Sequence, residues 1–526
     1  MNKVLKFGLG LGLVLLGCGQ LVAQKYDNTW LWGIYPQNQN DTMYPYHGNG
    51  YGTFDNDTFI TGAKNRNMTF SETNCSISDP VTGKLLFYTN GLCVRDSNSQ
   101  IIQNGDSLGY GPVWHAENGG YGSRGFWSML AIPFPYHDSL FKLIYRRYDG
   151  VGGQGSMCYA DLLHTQNEIK LLSKDVKFAT ATPQDGGIVA CKHANGRDWW
   201  VIFLEANTNC FHKYLLSTDT FVCHSVQCYG RPADINDACK SVFSPDGSKL
   251  LRTAAYGACD VFDFDRCSGL LSNFISLDTF HVIDTSSGNL VDVISSGEIS
   301  SNNRFVYLNG SYFILQYDLW AADVNSSRDT VGATDFFVDT VPQHTTSGYL
   351  FYLSQNAPDG KICYGPGSGK RFFSTIENPN GKGDSCNFKL RSVQLTKWIA
   401  LTIPYFPNYR LGRLIGSVCD TVYSDIKPIY TQAPWLKVFP NPANDEVQFD
   451  YNWIEWERSA ECRLLIADLS GRVVMEVGIP KYSTRQSFSI KQLTAGTYLV
   501  SLRGGSPLEF RGLGSRVLAT CKLVKQ

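Results

Sequence analysis

Phe243-Ser-Pro-Asp-Gly-Ser-Lys-Leu-Leu251 is the stretch that decides how this chain folds. Ser-Pro-Asp-Gly is a tight turn: proline pre-sets one φ, aspartate bonds to its own backbone, and glycine accepts the left-handed conformation. The apolar residues after the lysine begin a strand. The same arrangement recurs at Asp79-Pro-Val-Thr-Gly-Lys84, Ser301-Asn-Asn-Arg304 and Ala357-Pro-Asp-Gly-Lys361. Each time a polar turn is followed by Lys or Arg and then by an apolar run. Short strands predicted on this basis include Lys84–Thr89, Lys142–Tyr145, Asp198–Phe203, Lys249–Thr253, Arg304–Tyr307 and Tyr349–Leu353. No helical periodicity longer than about three turns interrupts them.

A small antiparallel sheet repeated every few tens of residues is the mark of a β-propeller. At roughly 50 to 60 residues per blade, the region from Lys25 to Gly412 predicts about seven blades. A pair of sandwiches would need a linker near the middle of that region, and the sequence offers none. Composition agrees with an all-β chain. Aromatics make up 13% and charged residues only 18%, glycine is plentiful at 50, and methionine is scarce at 6. Such a balance favours strands and turns over helices. The formal net charge of -1 contains no basic or acidic block, which argues against a nucleic-acid surface or a polybasic membrane patch.

The N-terminus reads as a secretory signal over residues 1–23. Lys3 and Lys6 precede an apolar run, Phe7 to Gly17, and Leu21-Val22-Ala23 sets cleavage between Ala23 and Gln24. Leu15-Leu16-Gly17-Cys18 also fits a lipobox, in which Cys18 would carry lipid; the cleavage tripeptide favours the first reading. No later stretch is long and apolar enough to predict a membrane-spanning helix.

After residues 413–436, read as a linker, alternation returns over 437–526. Cys462–Ala467, Arg472–Val477, Phe488–Ile490, Leu493–Val500 and Val517–Val524 predict a small Ig-like β-sandwich. Four ordered blocks stand out within it: Val438-Phe-Pro-Asn-Pro-Ala443, Asp468-Leu-Ser-Gly-Arg472, Leu493-Thr-Ala-Gly-Thr-Tyr-Leu-Val500 and Lys522-Leu-Val-Lys525. These blocks resemble the C-terminal sorting domain of type IX secretion cargo from Bacteroidota. Carried over, Pro440, Asn441, Pro442, Gly471, Arg472, Gly496, Tyr498, Lys522 and Lys525 are the sorting-motif positions. The Gly- and Pro-containing insertion Arg503–Ser515 departs from the pattern. Phe243–Leu251 in turn resembles a turn of WD40-like and TolB-like propellers. Ser76–Gly91, Val189–Trp200, Asn378-Pro-Asn380 with Cys386-Asn387, and Ile403-Pro-Tyr-Phe-Pro-Asn-Tyr-Arg410 look like signatures of large Bacteroidota surface proteins. The resemblance implies transit through the periplasm, the type IX machinery as partner, removal of the tail, and residence at the cell surface on lipopolysaccharide or outside the cell.

Chemistry is harder to find. Among nine histidines, the candidates His115, His137, His164, His193, His212, His281 and His344 form no HExxH and no spaced Cys/His metal pair. Asp55-Asn-Asp57 and Asp263-Phe-Asp265 could hold Ca²⁺ weakly but lack an EF-hand's length and final Glu. No cofactor and no catalytic residue is assigned. Sixteen cysteines in an exported chain point to disulfides. Local spacing suggests Cys75 with Cys93, Cys223 with Cys228, Cys259 with Cys267, Cys363 with Cys386, and Cys462 with Cys521, although spacing does not determine connectivity. The expected role is binding a carbohydrate, matrix polymer or protein. A polysaccharide hydrolase or lyase and a structural adhesin are the alternatives.

Overall fold

The structure is a computed structural model. It describes residues 24–526 except 35–45, 56–57, 112–113, 115–121, 124, 126, 138, 149–154, 167, 219, 234–239, 255–258, 279–281, 284–289, 293, 336–338, 342–343, 347–350, 368, 400–401, 421–434, 453–460, 480–484 and 506–515. The signal segment, His115 and His281 therefore lie outside the described residues. The chain divides into two compact units, Met1–Thr421 and Val422–Gln526.

Among the described residues the first unit holds seven sheets of three or four antiparallel strands, each taken in chain order, here called blades. Blade 1 is Thr29–Ile34, Gly48–Asp55 and Thr58–Ala63. Blade 2 is Cys75–Ser78, Leu85–Thr89 and Val94–Asp96. Blade 3 runs from Met129–Pro133 to Ile169–Ala179, blade 4 from Pro183–Lys192 to Phe221–Cys228, and blade 5 from Ser241–Phe243 to Leu271–Leu277. Blade 6 runs from Ser296–Ile299 to Asp329–Ala333, and blade 7 from Leu353–Asn356 to Phe388–Ile399. The first strands of successive blades pack side by side, and the last strand of blade 7 returns against blade 1. Trp32 Nε1 donates to Lys397 O at 3.2 Å, and Thr396 Oγ1 donates to Gly62 O at 2.6 Å. This ring is a seven-bladed β-propeller, as the repeated turns predict.

Those turns lie together at one end of the strands. In Ser244-Pro-Asp-Gly247 the Asp246 carboxylate accepts from Ser244 Oγ and Ser248 N, and Gly247 adopts φ +75°. Asn303 of the next blade's turn donates to Ser248 Oγ at 3.2 Å, so the turns also join neighbouring blades. The opposite end carries the longer connections, and we call it the loop face.

Among the described residues blade 1 has no inner strand of its own. Its first strand starts at the turn face, where Tyr26 O accepts from Ser78 N. Residues 402–410 take the vacant innermost position and run from the loop face to the turn face. Ile403, Tyr405, Phe406 and Tyr409 are all buried in the main core. Tyr405 Oη donates to the carbonyls of Ile188 (3.1 Å) and Ser241 (2.7 Å), on the inner strands of blades 4 and 5. Tyr409 Oη donates to Ala131 O on blade 3 at 2.6 Å. Arg410 pairs with Asp27 at 2.5 Å, and Asn408 donates to Pro245 O at 2.6 Å. The central channel is thus filled by the chain's own C-terminal segment, tied to carbonyls that face the axis.

The segment does not end at 412. Arg266 donates to Gly412 O, Leu414 N donates to Ala194 O at 2.8 Å, and Cys419 forms a disulfide with Cys267. These contacts extend the first unit to Thr421. The stretch from 413 to 420, read from the sequence as linker, is therefore part of the propeller.

In the second unit Trp435–Phe439, Glu446–Asn452 and Arg485–Ser489 form one sheet. Val473–Ile479, Glu461–Ala467, Gly496–Gly505 and Arg516–Lys525 form the other. Between them lies a core that includes Phe449, Tyr451, Leu464, Ile466, Val500, Leu502 and Leu523. The predicted small sandwich is present.

The cysteine pairings differ from the local ones the spacing suggests. Cys228 bonds Cys210, directly opposite on the neighbouring strand, and not Cys223. Cys223 and Cys228 lie on one strand opposite Tyr214 and Cys210, four positions and about 13 Å apart, too far to bridge. Cys267 bonds Cys419 and not Cys259, which stays a buried thiol at the far end of its strand. Cys75 and Cys93 are both free. The strand Leu85–Thr89 lies between them, so they are about 10 Å apart, beyond the reach of a disulfide. Cys363 and Cys386 are free because they enter different cores on the two faces of blade 7. Cys521 is also free. Cys462 pairs in register with Gly504, whereas Cys521 pairs with Val500, two strands across and four residues along.

Candidate functional site

Two regions are candidates: the blocks of the C-terminal unit, which the sequence singles out, and the propeller's axis and loop face. In the C-terminal unit the Pro440-Asn441-Pro442 turn grips the last strand. Asn441 Nδ2 donates to Lys522 O at 2.7 Å, and Val524 N donates to Asn441 Oδ1 at 2.9 Å. Ala443 N donates to Val524 O, and Gln526 N to Ala443 O, on either side. Lys525 packs its buried stem inward and meets Asp445 at 3.5 Å. In the hairpin, Asp468 Oδ1 accepts from Ser470 N and Arg472 N, Gly471 sits at φ +86°, and Arg472 Nε meets the same carboxylate at 3.2 Å. Gly496 opens its strand, and Tyr498 Oη donates to Thr494 O at 2.7 Å, closing the corner before it. The motif residues therefore build the sandwich and fasten its last strand.

Residues 437–509 match the family described as "Secretion system C-terminal sorting domain". The chain is a cargo of the type IX secretion system. Its destination is the cell surface or the extracellular space, and its tail is the part that engages the secretion machinery. The match stops before Arg516–Lys525, yet that strand is in register with Gly496–Gly505 and completes the sheet. No helix among the described residues is long and apolar enough to cross a membrane.

Solved structures similar to the cargo's first unit are distant. A protein of Bacteroides uniformis, described provisionally as a 6-phosphogluconolactonase, shares 12% identity at TM-score 0.41, covering 72% of this chain and 98% of its own. The Dos1 propeller shares 11% at TM-score 0.39, covering 70% and 83%. The Cps50 (Swd1) β-propeller domain of Myceliophteria thermophila shares 9% at TM-score 0.29, covering 68% and 88%. No curated protein sequence matches the cargo.

On the propeller axis, Lys240 and Glu298 form a fully buried ion pair between blades 5 and 6. Lys240 Nζ also donates to Ser354 O on blade 7 at 2.5 Å, and Asn356 Nδ2 donates to Glu298 Oε2 at 2.8 Å. Burial pushes the lysine's pKa down and the glutamate's up, and each is opposed by the other's charge. The pair is committed to holding three blades together. Above it, Glu72, Asn74, Trp127, Ser128, Leu353 and Tyr405 border a cavity of about 10 Å³, room for a single water molecule.

Towards blades 3 and 4 the loop face carries a second polar cluster. Arg146 lies 3.5 Å from Asp185, and Tyr148 Oη donates to the same carboxylate at 3.3 Å. Gly125 N donates to Glu72 Oε2 at 2.8 Å. A side chain at Gly125 would collide with Tyr148 Oη, so only glycine allows this approach. Burial raises the Asp185 pKa, and burial next to Asp185 holds the Tyr148 phenol far above its ordinary range.

Among the described residues the sequence-predicted histidines do not converge. His193 Nε2 lies 3.0 Å from Cys267 O and its Nδ1 accepts from Asn195 N, inside a turn. His212 stacks on Phe203 and meets Glu205 at 3.0 Å. Asp263 is bonded to Lys249 and Asn273, and Asp265 caps the turn at Cys267 and Ser268, so both are occupied. Asp55-Asn-Asp57 falls partly outside the described residues. Among the described residues no group of three His, Cys, Asp or Glu side chains is placed to hold a metal. Sequence reading missed Glu72, Asp185, Lys240 and Glu298, which carry no motif. Tyr405 and Tyr409 lay within the Ile403–Arg410 stretch, but their destination was not readable there.

Proposed function

We propose that the propeller is a surface-displayed binding module for a carbohydrate, matrix polymer or protein, and that the sorting domain delivers it and is then removed. The observation that carries this reading is the filled channel. The axial pocket where a propeller enzyme would hold its substrate is occupied by residues 402–410, with about 10 Å³ left beside them. Of the nearby acids, Glu72 borders that space and accepts from Gly125 N, and Glu298 is paired with Lys240. Ligands would then be taken on an outer face of the disk. After sorting, attachment to surface lipopolysaccharide would hold the module at the cell surface.

The test is a glycan, polymer and protein array probed with the purified mature chain. Saturable binding to one class without turnover supports the module. A polysaccharide hydrolase is the second reading, favoured only by Glu72 and Asp185 standing on either side of Tyr148. It predicts release of reducing ends that Asp185→Asn abolishes. Turnover of that kind, with no binding by the inactive protein, would overturn the binding reading.

A further inference from the structure

The outermost strand of a propeller blade has one edge without a partner strand, and an exposed edge that carries no charge invites another strand to pair with it. Among the described residues six blades blunt that edge. The last strand of blade 1 is bonded to blade 7, with Thr61 Oγ1 donating to Gln394 O at 3.3 Å. That of blade 2 spans three residues and is met by the returning chain: Asp96 N donates to Gln100 O and Ile102 N to Val94 O. Blade 3 ends in a strand with Lys170, Lys174 and Lys177 that breaks register three times. The last strand of blade 5 turns at Asn273, φ +47°, and its Ser276 O accepts from Asn325 Nδ2. In blade 6 it is five residues long and opens with Asp329. In blade 7 it carries Lys389, Arg391 and Lys397 and packs on blade 1.

Blade 4 is the exception. Its outer strand, Phe221-Val-Cys-His-Ser-Val-Gln-Cys228, has eight residues and no Lys, Arg, Asp or Glu. It pairs on one side with Cys210–Leu216 and is the last strand of its sheet. Its one break in register falls at His224. Val222 and Val226 are 51% and 50% exposed, and Cys223 between them is an exposed thiol outside any disulfide. Both ends of the strand are fixed. Phe221 packs against Tyr159 and Phe178 of blade 3, and Cys228 is bonded to Cys210. Gln227 ties the strand to blade 5: its Nε2 donates to Leu271 O at 2.8 Å, and its Oε1 accepts from Leu271 N at 3.0 Å. The edge is thus held rigid, apolar and uncharged.

We propose that this edge joins two copies of the chain, blade 4 to blade 4, as an antiparallel pair about a twofold axis. A twofold brings a strand against itself, so the edge must be complementary to its own copy. An uncharged strand with exposed valines meets that condition, whereas the lysines of blade 3 would face like charges. With the axis between His224 and Ser225, Val226 of each copy lies opposite Cys223 of the other, apolar against apolar. Eight residues a side is well below the roughly 20 to 30 of a stable interface, so the dimer should form and separate with concentration. The pairing uses the rim of the disk and is independent of the ligand class proposed above. It would give the binding module two copies of its site, and so avidity for a repetitive polymer.

The test is sedimentation equilibrium of the purified chain from low to high micromolar concentration, where a monomer–dimer equilibrium is expected. Val226→Lys brings like charges together at the axis and should weaken the dimer at least about ten-fold. Val222→Lys should do the same, and it carries the test if Val226→Lys does not fold. Leu172→Lys, a half-exposed position on the outer strand of blade 3, should leave the dimer unchanged. In the proposed register the two Cys223 thiols lie about 11 Å apart, so a hexyl-linked bis-maleimide should give a covalent dimer that Cys223→Ser removes. A chain monomeric throughout, which is also the result if the edge takes a strand of another protein, would overturn the inference. So would a dimer unmoved by the valine variants, one weakened equally by Leu172→Lys, or one that Cys223 does not crosslink.

Discussion

Replacing Cys419 by serine frees the end of the channel segment, and the structure sets the size of the effect. Cys419 bonds Cys267 across a sequence separation of 152. In the chain-entropy account a loop of that length is worth roughly 5 kcal/mol to the folded state. The other bridge, Cys210–Cys228, spans a separation of only 18 and is worth roughly 3 kcal/mol. It also joins strands already paired in register. The unit that ends at Thr421 should unfold with an entropy of roughly 0.9 kcal/mol/K. Cys419→Ser should therefore lower Tm by about 5 to 6 °C, and Cys228→Ser by about 3 to 4 °C. Scanning calorimetry of the oxidised protein and the two variants reads this directly, and reductant should bring all three to one lower value. A Cys228→Ser shift as large as that of Cys419→Ser, or no shift for Cys419→Ser, would refute the reasoning. The segment would then be held by its side chains alone.

Three further outcomes follow from the buried polar groups. Tyr405→Phe leaves the carbonyls of Ile188 and Ser241 without their donor and should cost about 1 to 3 kcal/mol in denaturant unfolding. Glu298→Gln strands the Lys240 charge in the core and should cost about 3 to 5 kcal/mol, most of which the double variant Lys240→Met/Glu298→Leu should recover. Lys192, buried against Trp199, has its pKa lowered by burial to about 7 from an ordinary 10.5. Between those values the unfolded chain binds more protons than the folded one, so stability should rise with pH across that window and be level below it. Urea unfolding at several pH values should show this slope in the parent and not in Lys192→Met.

What was legible in the sequence was local. Ser244-Pro-Asp-Gly247 and its relatives are turns because of the residues they contain, so they marked the blades before any contact was known. The sandwich was readable for the same reason, since Asn441, Asp468 and Gly471 shape turns through neighbouring backbone groups. Features decided by the closed ring were not readable. Ile403–Arg410 stood out as a stretch, yet nothing near it says that Tyr405 reaches blades 4 and 5. Glu298 meets Lys240 only because blades 5 and 6 are neighbours around the axis. Cysteine spacing misled because strands keep nearby cysteines apart: Cys223 and Cys228 share a strand, while Cys419 comes back to Cys267 through the channel. The same passage explains why residues 413–420, polar and without alternation, belong to the propeller.

The last ninety-odd residues carry this protein out of the cell. The direct measurement is protease accessibility on intact cells of the producing organism, comparing the full chain with a chain lacking Leu436–Gln526. The full chain should be cleaved from outside, while the truncated chain, with a folded propeller, should be protected and recovered with the periplasm. Equal surface exposure of the truncated propeller would contradict the claim.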